Sequence, residues 1–160
     1  MNEDLIKEIC SYLVNHINED INIEDLETFF HYNKFYLIRN FKEYTGYTII
    51  EFINNCRIYN SIDPLIYTDD TILKIALSNG FKSQEYYSEK FKDIIEISPL
   101  KFRQLFHKLN YLINKTNEKE ELNLLKYQLN ELNQYKEKQN YLNNINHHIK
   151  SKQKIKNALK

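Results

Sequence analysis

The sequence predicts an all-α fold, and three observations carry that expectation. Glycine and proline are scarce, two of each in 160 residues, whereas an all-β protein needs many turns with special backbone angles. Apolar residues recur at spacings of three and four along most of the chain, the period of an amphipathic helix. Residues that start and stop helices punctuate those runs.

Taken in order, Leu5, Ile6, Ile9, Leu13 and Ile17 form the first amphipathic run. Asn22-Ile23-Glu24-Asp25 is a start signal for a short second helix ending near His31. Asn33 suits the cap of a third helix through Leu37 and Phe41, and Gly46 stops it in a left-handed conformation. Thr48 opens a long helix with Ile49, Phe52, Ile53, Cys56 and Ile58. Pro64 inside it removes one hydrogen bond, so a kink near Asn60 is expected. Asp70-Thr71 starts a helix ending at Gly80, and Ser83 caps another running to about Ile95. Ser98-Pro99 begins one more, because proline is preorganised for the first helical position. After Asn117, Leu122, Leu125, Leu129 and Leu132 follow 3-4-3 spacing, and Leu142, Ile145 and Ile149 resume the stripe. Two heptads fall short of a firm coiled coil, and three readings stay open: a helix folded back on the domain, a homodimer or partner contact through 117–149, or disorder.

Two short helices joined by a tight turn thus occur twice, at roughly 24–45 and 71–95, with a long helix between them. That is a helix-turn-helix duplicated about 50 residues apart. The expected architecture is two helix-turn-helix subdomains joined by a long linker helix (1–107), plus a basic, helical, coiled-coil-like C-terminal extension (108–160). The second copy shows its turn most clearly. Ile72, Ile75 and Ala76 precede Asn79-Gly80-Phe81, and Tyr86, Tyr87 and Phe91 follow. Ala76 is small where two helices cross, Gly80 supplies the positive φ, and Phe81 plugs the core beneath the turn.

A net charge of zero conceals an asymmetry. Residues 17–106 hold ten basic and fourteen acidic side chains, and residues 107–160 eleven and five. An acidic body carries a basic tail. Only Arg39, Arg57 and Arg103 break the run of lysines among the 22 basic residues. No stretch of 18 apolar residues occurs and the start lacks a basic leader, so neither a membrane span nor a signal peptide is expected, and the location expected is cytoplasmic. Cys10 and Cys56 make no CxxC and read as two reduced, buried, inert thiols. GxGxxG, P-loop, HExxH and GxSxG motifs are absent from the sequence. His147 and His148 are adjacent and point to different helix faces, and His16, His31 and His107 lack ligand spacing. No enzyme, cofactor or metal site is expected.

Further residues recur in a set order. They are Tyr36-Leu37, Arg39, Phe41-Lys42 and Gly46 in the first half, then Phe52-Ile53, Arg57-Ile58, Leu65 and Thr68 in the linker. The second half has Ile72, Ile75-Ala76, Gly80-Phe81, Ser83, Tyr86-Tyr87-Ser88, Phe91-Lys92, Ser98-Pro99, Phe102 and Arg103. At these spacings the chain resembles the AraC/XylS family of bacterial transcription regulators over about residues 17–103. The resemblance implies a seven-helix domain whose two units each place their second helix in a major groove, one turn of DNA apart. It implies base contacts from Phe35, Ile38 and Arg39 in the first reader and from Gln84, Glu85, Ser88 and Glu89 in the second, which Ser83 opens. Lys34, Lys42, Lys82, Lys90 and Lys92 are the implied phosphate contacts. Arg39 stands out because arginine bonded to guanine is the commonest specific contact; its alternative is a surface pair with Glu43 at i+4. Phe35 has two readings, a thymine methyl or burial against Phe30. Gln84 suits adenine or a solvated helix start.

The chain also departs from the family. Lys34–Lys42 holds three basic and no acidic residues, whereas Lys82–Lys92 sets Lys82, Lys90 and Lys92 against Glu85 and Glu89. Those two carboxylates share a helix face; each suits cytosine N4 but repels the phosphate backbone. Glu27 replaces a small alanine, which is expected to loosen the first helix crossing. Glu96 stands where the family often has glycine, and a non-glycine left-handed residue costs about 1 kcal/mol. The expected function is sequence-specific binding of double-stranded DNA in the nucleoid to recruit or block RNA polymerase, with no membrane partner and no small-molecule effector domain. The alternative is a degenerate helix-turn-helix protein that has lost base readout and acts through its C-terminal helix on another regulator or on itself.

Overall fold

The computed structural model describes residues 3–137, with side chains to residue 135. Among them are eight helices and no strand: α1 Glu3–Asn15, α2 Ile23–Phe30, α3 Lys34–Thr45, α4 Ile49–Tyr67, α5 Ile72–Ser78, α6 Gln84–Ile95, α7 Pro99–Lys115 and α8 Lys119–Glu137. The expected all-α class holds.

Caps explain where these helices begin. Asn22 Oδ1 accepts the Asp25 N–H (2.9 Å) while Asp25 Oδ2 accepts the Asn22 N–H (3.2 Å), a reciprocal box before α2. Thr48 and Glu51 repeat the arrangement before α4, at 3.2 and 2.7 Å. Asn33 accepts the Phe35 N–H at 2.9 Å, and Thr71, Ser83 and Ser98 each accept an N–H three residues on, at 3.1, 3.1 and 3.2 Å. Each such cap stabilises its helix by about 1 kcal/mol. Pro64 does not end α4, which runs on to Tyr67.

The chain divides into two compact units, with the boundary inside α4 after Cys56. In the first unit the fully buried Ile6, Ile9, Leu13, Leu26, Leu37, Phe41 and Phe52 form the core. Phe41 meets Phe52 edge to face, 5.5 Å between centroids. In the second unit a row of aromatic rings carries the core: Phe81–Tyr87 (5.2 Å), Tyr87–Phe91 (5.8 Å) and Phe91–Phe102 (5.7 Å). Tyr87 donates its hydroxyl to Ser61 Oγ at 2.9 Å, which fixes α6 against α4.

α8 returns along α7, burying Leu125 and Leu132, with Tyr135 edge-on to Phe102 at 6.4 Å. For Leu122–Leu132 the structure therefore has the folded-back arrangement. Leu142, Ile145, Ile149 and the lysine-rich end lie outside the described residues. Among the described residues no helix is long and apolar enough to cross a membrane.

Candidate nucleic-acid interface

The two helix pairs turn differently. Between α5 and α6, Gly80 has φ 82°, two residues stand between it and the Ser83 cap, and Phe81 beneath them is only 3% exposed. Between α2 and α3, His31 takes the left-handed conformation (φ 57°) and a single residue, Tyr32, separates it from the Asn33 cap. Tyr32 is no plug; it stacks on Tyr36 at 5.4 Å. The first turn is held another way. Glu27 Oε1 accepts the backbone N–H of Lys34 at 3.1 Å. A carboxylate at a helix N-terminus satisfies an orphan donor and the helix dipole together. Glu27 thus ties α2 to the start of α3, where a looser crossing was expected.

Leu37, Phe41 and Thr45 anchor α3 inward. Phe35, Ile38, Arg39 and Lys42 then fall on the opposite face and are all exposed, Phe35 by 72%. Their spacing of i, i+3, i+4 and i+7 makes one row. Phe35 is therefore not buried against Phe30, which packs on Tyr12 and Phe29 instead. Arg39 forms no ion pair among the described residues, so the surface pair with Glu43 is not made. Lys34 does pair, with Glu24 at 3.2 Å, and its ammonium lies 5.9 Å from the Phe35 ring centre.

On α6, Tyr87, Phe91 and Ile95 point inward, leaving Gln84, Glu85, Glu89 and Lys92 exposed and Ser88 half-buried. Ser83 spends its hydroxyl as the helix cap, and Lys82 is exposed just before it. Lys90 bonds Glu89 at 3.2 Å and lies 3.5 Å from Asp93, over the Tyr86 ring. The hydrogen bond to Glu89, chiefly, holds the Lys90 ammonium above its ordinary pKa. Glu96 closes α6 with φ 73°, matching Gly46 (φ 83°) at the end of α3, so the expected left-handed position is occupied by a residue with a Cβ.

The other arginines serve the fold. Arg57 lies over the Phe81 ring at 5.9 Å. Arg103 donates to the Leu65 and Asp70 carbonyls at 2.8 and 2.7 Å. Cys10 and Cys56 are free and buried, and burial pushes both thiols up to about 12. No cluster of metal-ligating side chains occurs among the described residues.

One feature escaped the sequence reading. An open apolar groove of about 250 Å³ lies in the first unit, lined by Ile21, Ile23, Leu26, Ile38, Ile50 and Ile53 among others. The isoleucines of 21–23 and 49–53 were the available signal, but helical periodicity alone assigns them to a core.

Residues 26–105 match the model of a family described as a helix-turn-helix domain, half of the chain. The chain belongs to the AraC-type helix-turn-helix family. That AraC-type family is one of DNA-binding transcription regulators, not of enzymes. An uncharacterised helix-turn-helix transcriptional regulator of Staphylococcus aureus (strain COL) is 32% identical over 103 residues, 64% of this chain and 14% of that protein. The uncharacterised regulator YbfP of Bacillus subtilis (strain 168) is 30% identical over 101 residues, 63% of this chain and 34% of its own. The AraC-type chain thus spans a minor part of these relatives. Among solved structures, the C-terminal domain of AraT, a response regulator from Geobacillus stearothermophilus, is similar with a TM-score of 0.59 and 26% identity, over 62% of this chain and 84% of that one. The DNA-binding domain of the global transcriptional factor AdpA, solved in complex with a target DNA, has the same fold with a TM-score of 0.60 and 19% identity, over 64% and 93%.

Proposed function

We propose that the chain reads double-stranded DNA by sequence, placing α3 and α6 in successive major grooves, and so regulates transcription. The observation that carries this reading is the outward row on α3, in which Arg39 is exposed and unpaired among the described residues between Ile38 and Lys42. A guanidinium bonds guanine O6 and N7 together, worth roughly 1–3 kcal/mol of discrimination. Phe35 and Ile38 offer apolar surface to thymine methyls, and Lys42 meets a phosphate. On α6, Gln84 matches adenine, Glu85 and Glu89 accept from cytosine N4, and Ser88 meets either edge. Lys82 and Lys92 flank that helix toward the phosphates, and Ser83 holds its first turn. Lys34 and Lys90 add less, since each already has a carboxylate partner. The AdpA domain, with its target DNA, supports DNA as the ligand of this fold.

In this reading residues 1–107 are the DNA-binding module and 108–160 an extension, acting in the cytoplasm on the nucleoid by recruiting or blocking RNA polymerase. Since Leu125 and Leu132 are buried within the chain, the reading assigns 117–137 to α7 rather than to a homodimer. The test is fluorescence anisotropy on a duplex selected from a random library. Arg39→Ala is expected to weaken specific binding by about 1–3 kcal/mol and leave non-specific binding nearly unchanged. A wild-type chain that retards no duplex at low ionic strength overturns the reading.

A further inference from the structure

The apolar groove of the first unit faces water in a unit with a surplus of acid. Ile50 is 60% exposed and Ile38 43%. The segments that line it carry the exposed Glu24, Asp25 and Glu51, with the exposed Arg39 and Lys42 beside Ile38 and Glu24 already paired with Lys34. Residues 1–56 as a whole hold ten acidic side chains against four basic ones. Residues 138–160 hold six lysines and no acid, and their apolar residues Leu142, Ile145 and Ile149 fall at spacings of three and four. An apolar stripe with lysines beyond it complements an apolar groove in a unit that carries a surplus of carboxylates. Twenty-three residues span about 75 Å extended and about 35 Å as a helix.

We propose that the segment 138–160 docks in cis on this groove, laying Leu142, Ile145 and Ile149 over Ile38 and Ile50 and its lysines toward the carboxylates of the first unit. Ile38 belongs to both the groove and the outward row of α3. A docked segment therefore covers part of the reader, and DNA and segment compete. The docking stands on the groove and the charges; its effect on DNA rests on the reading of α3 given above. Tethering supplies the segment at an effective concentration near 1 mM, so even a groove affinity of about 0.1 mM shields the groove roughly tenfold.

A cysteine at the rim reads the docking without DNA. In full-length Ile50→Cys, maleimide labels the new thiol selectively, because Cys10 and Cys56 are buried with their thiols protonated. Adding Leu142→Ser, Ile145→Ser and Ile149→Ser is expected to speed labelling by about tenfold at any protein concentration. An unchanged rate overturns the proposal, and so does shielding that grows with protein concentration, which places a second copy in the groove. In the chain with native Ile50, the same three serines are expected to tighten binding to a selected duplex several-fold. Weaker binding instead overturns the competition and assigns the segment to DNA. Absence of any DNA binding, with labelling still shielded, leaves docking intact and removes only the reader.

Discussion

Arg103 donates from Nε to the Leu65 carbonyl and from Nη2 to the Asp70 carbonyl, residues 38 and 33 positions away. Leu65 lies in the last turn of α4, where carbonyls lack a helical partner. Arg39 has the same chemistry and no such acceptor. The two side chains therefore predict opposite outcomes. Arg103→Met leaves two acceptors without their charged donor and is expected to cost about 2–3 kcal/mol in urea denaturation. Arg39→Ala is expected to change stability by less than about 0.5 kcal/mol, as an exposed substitution does, while specific DNA binding falls. If both changed stability equally, Arg39 would be structural and the reader would lose its principal contact. The sequence singled out Arg39 but gave Arg103 no role, because the carbonyls that hold Arg103 come from distant segments.

At the scale of the element, the duplication extends to the caps. Gly46 and Glu96 end α3 and α6 in the same left-handed conformation, each N–H bonding the carbonyl four residues back, Lys42 or Lys92, at 2.9 Å. Only Glu96 has a Cβ there. Glu96→Gly is expected to stabilise the second unit by about 1 kcal/mol and raise Tm by a few degrees, with DNA binding unchanged; an unaltered Tm would mean the strain is already relieved. This position was legible in the sequence, since helix ends are encoded by the residues at them. The first turn was not. Glu27 looked like a misfit at a crossing, and its carboxylate proves to hold the Lys34 N–H, a contact seven residues away that no periodicity signals.

For the molecule as a whole, charge decides how strongly a reader of this kind is drawn to DNA. Non-specific affinity comes from counterions released by each phosphate contact, with a slope in log salt of about −0.9 per contact. The α6 face offers Lys92 beside Glu85 and Glu89, with Lys90 occupied by Glu89. Glu89→Arg removes a repulsion, adds a cation and releases Lys90. It is expected to tighten non-specific binding and steepen the salt slope by about 1–2 units, measured by titration from low to moderate salt. An unchanged slope would turn Glu89 away from the phosphates and make α3 the sole electrostatic anchor.

The helix set, its caps and the duplication all follow from the sequence. Each depends on residues within a turn or two of one another, and local spacing encodes them. The tertiary structure alone decided that Arg103 staples carbonyls, that Phe35 stands clear of Phe30, that α8 lies on α7, and that isoleucines from three helices leave a groove open beside the outward row of α3. Those outcomes rest on which distant segments meet. A single chain's periodicity records how each helix is apolar on one side, not which neighbour covers that side.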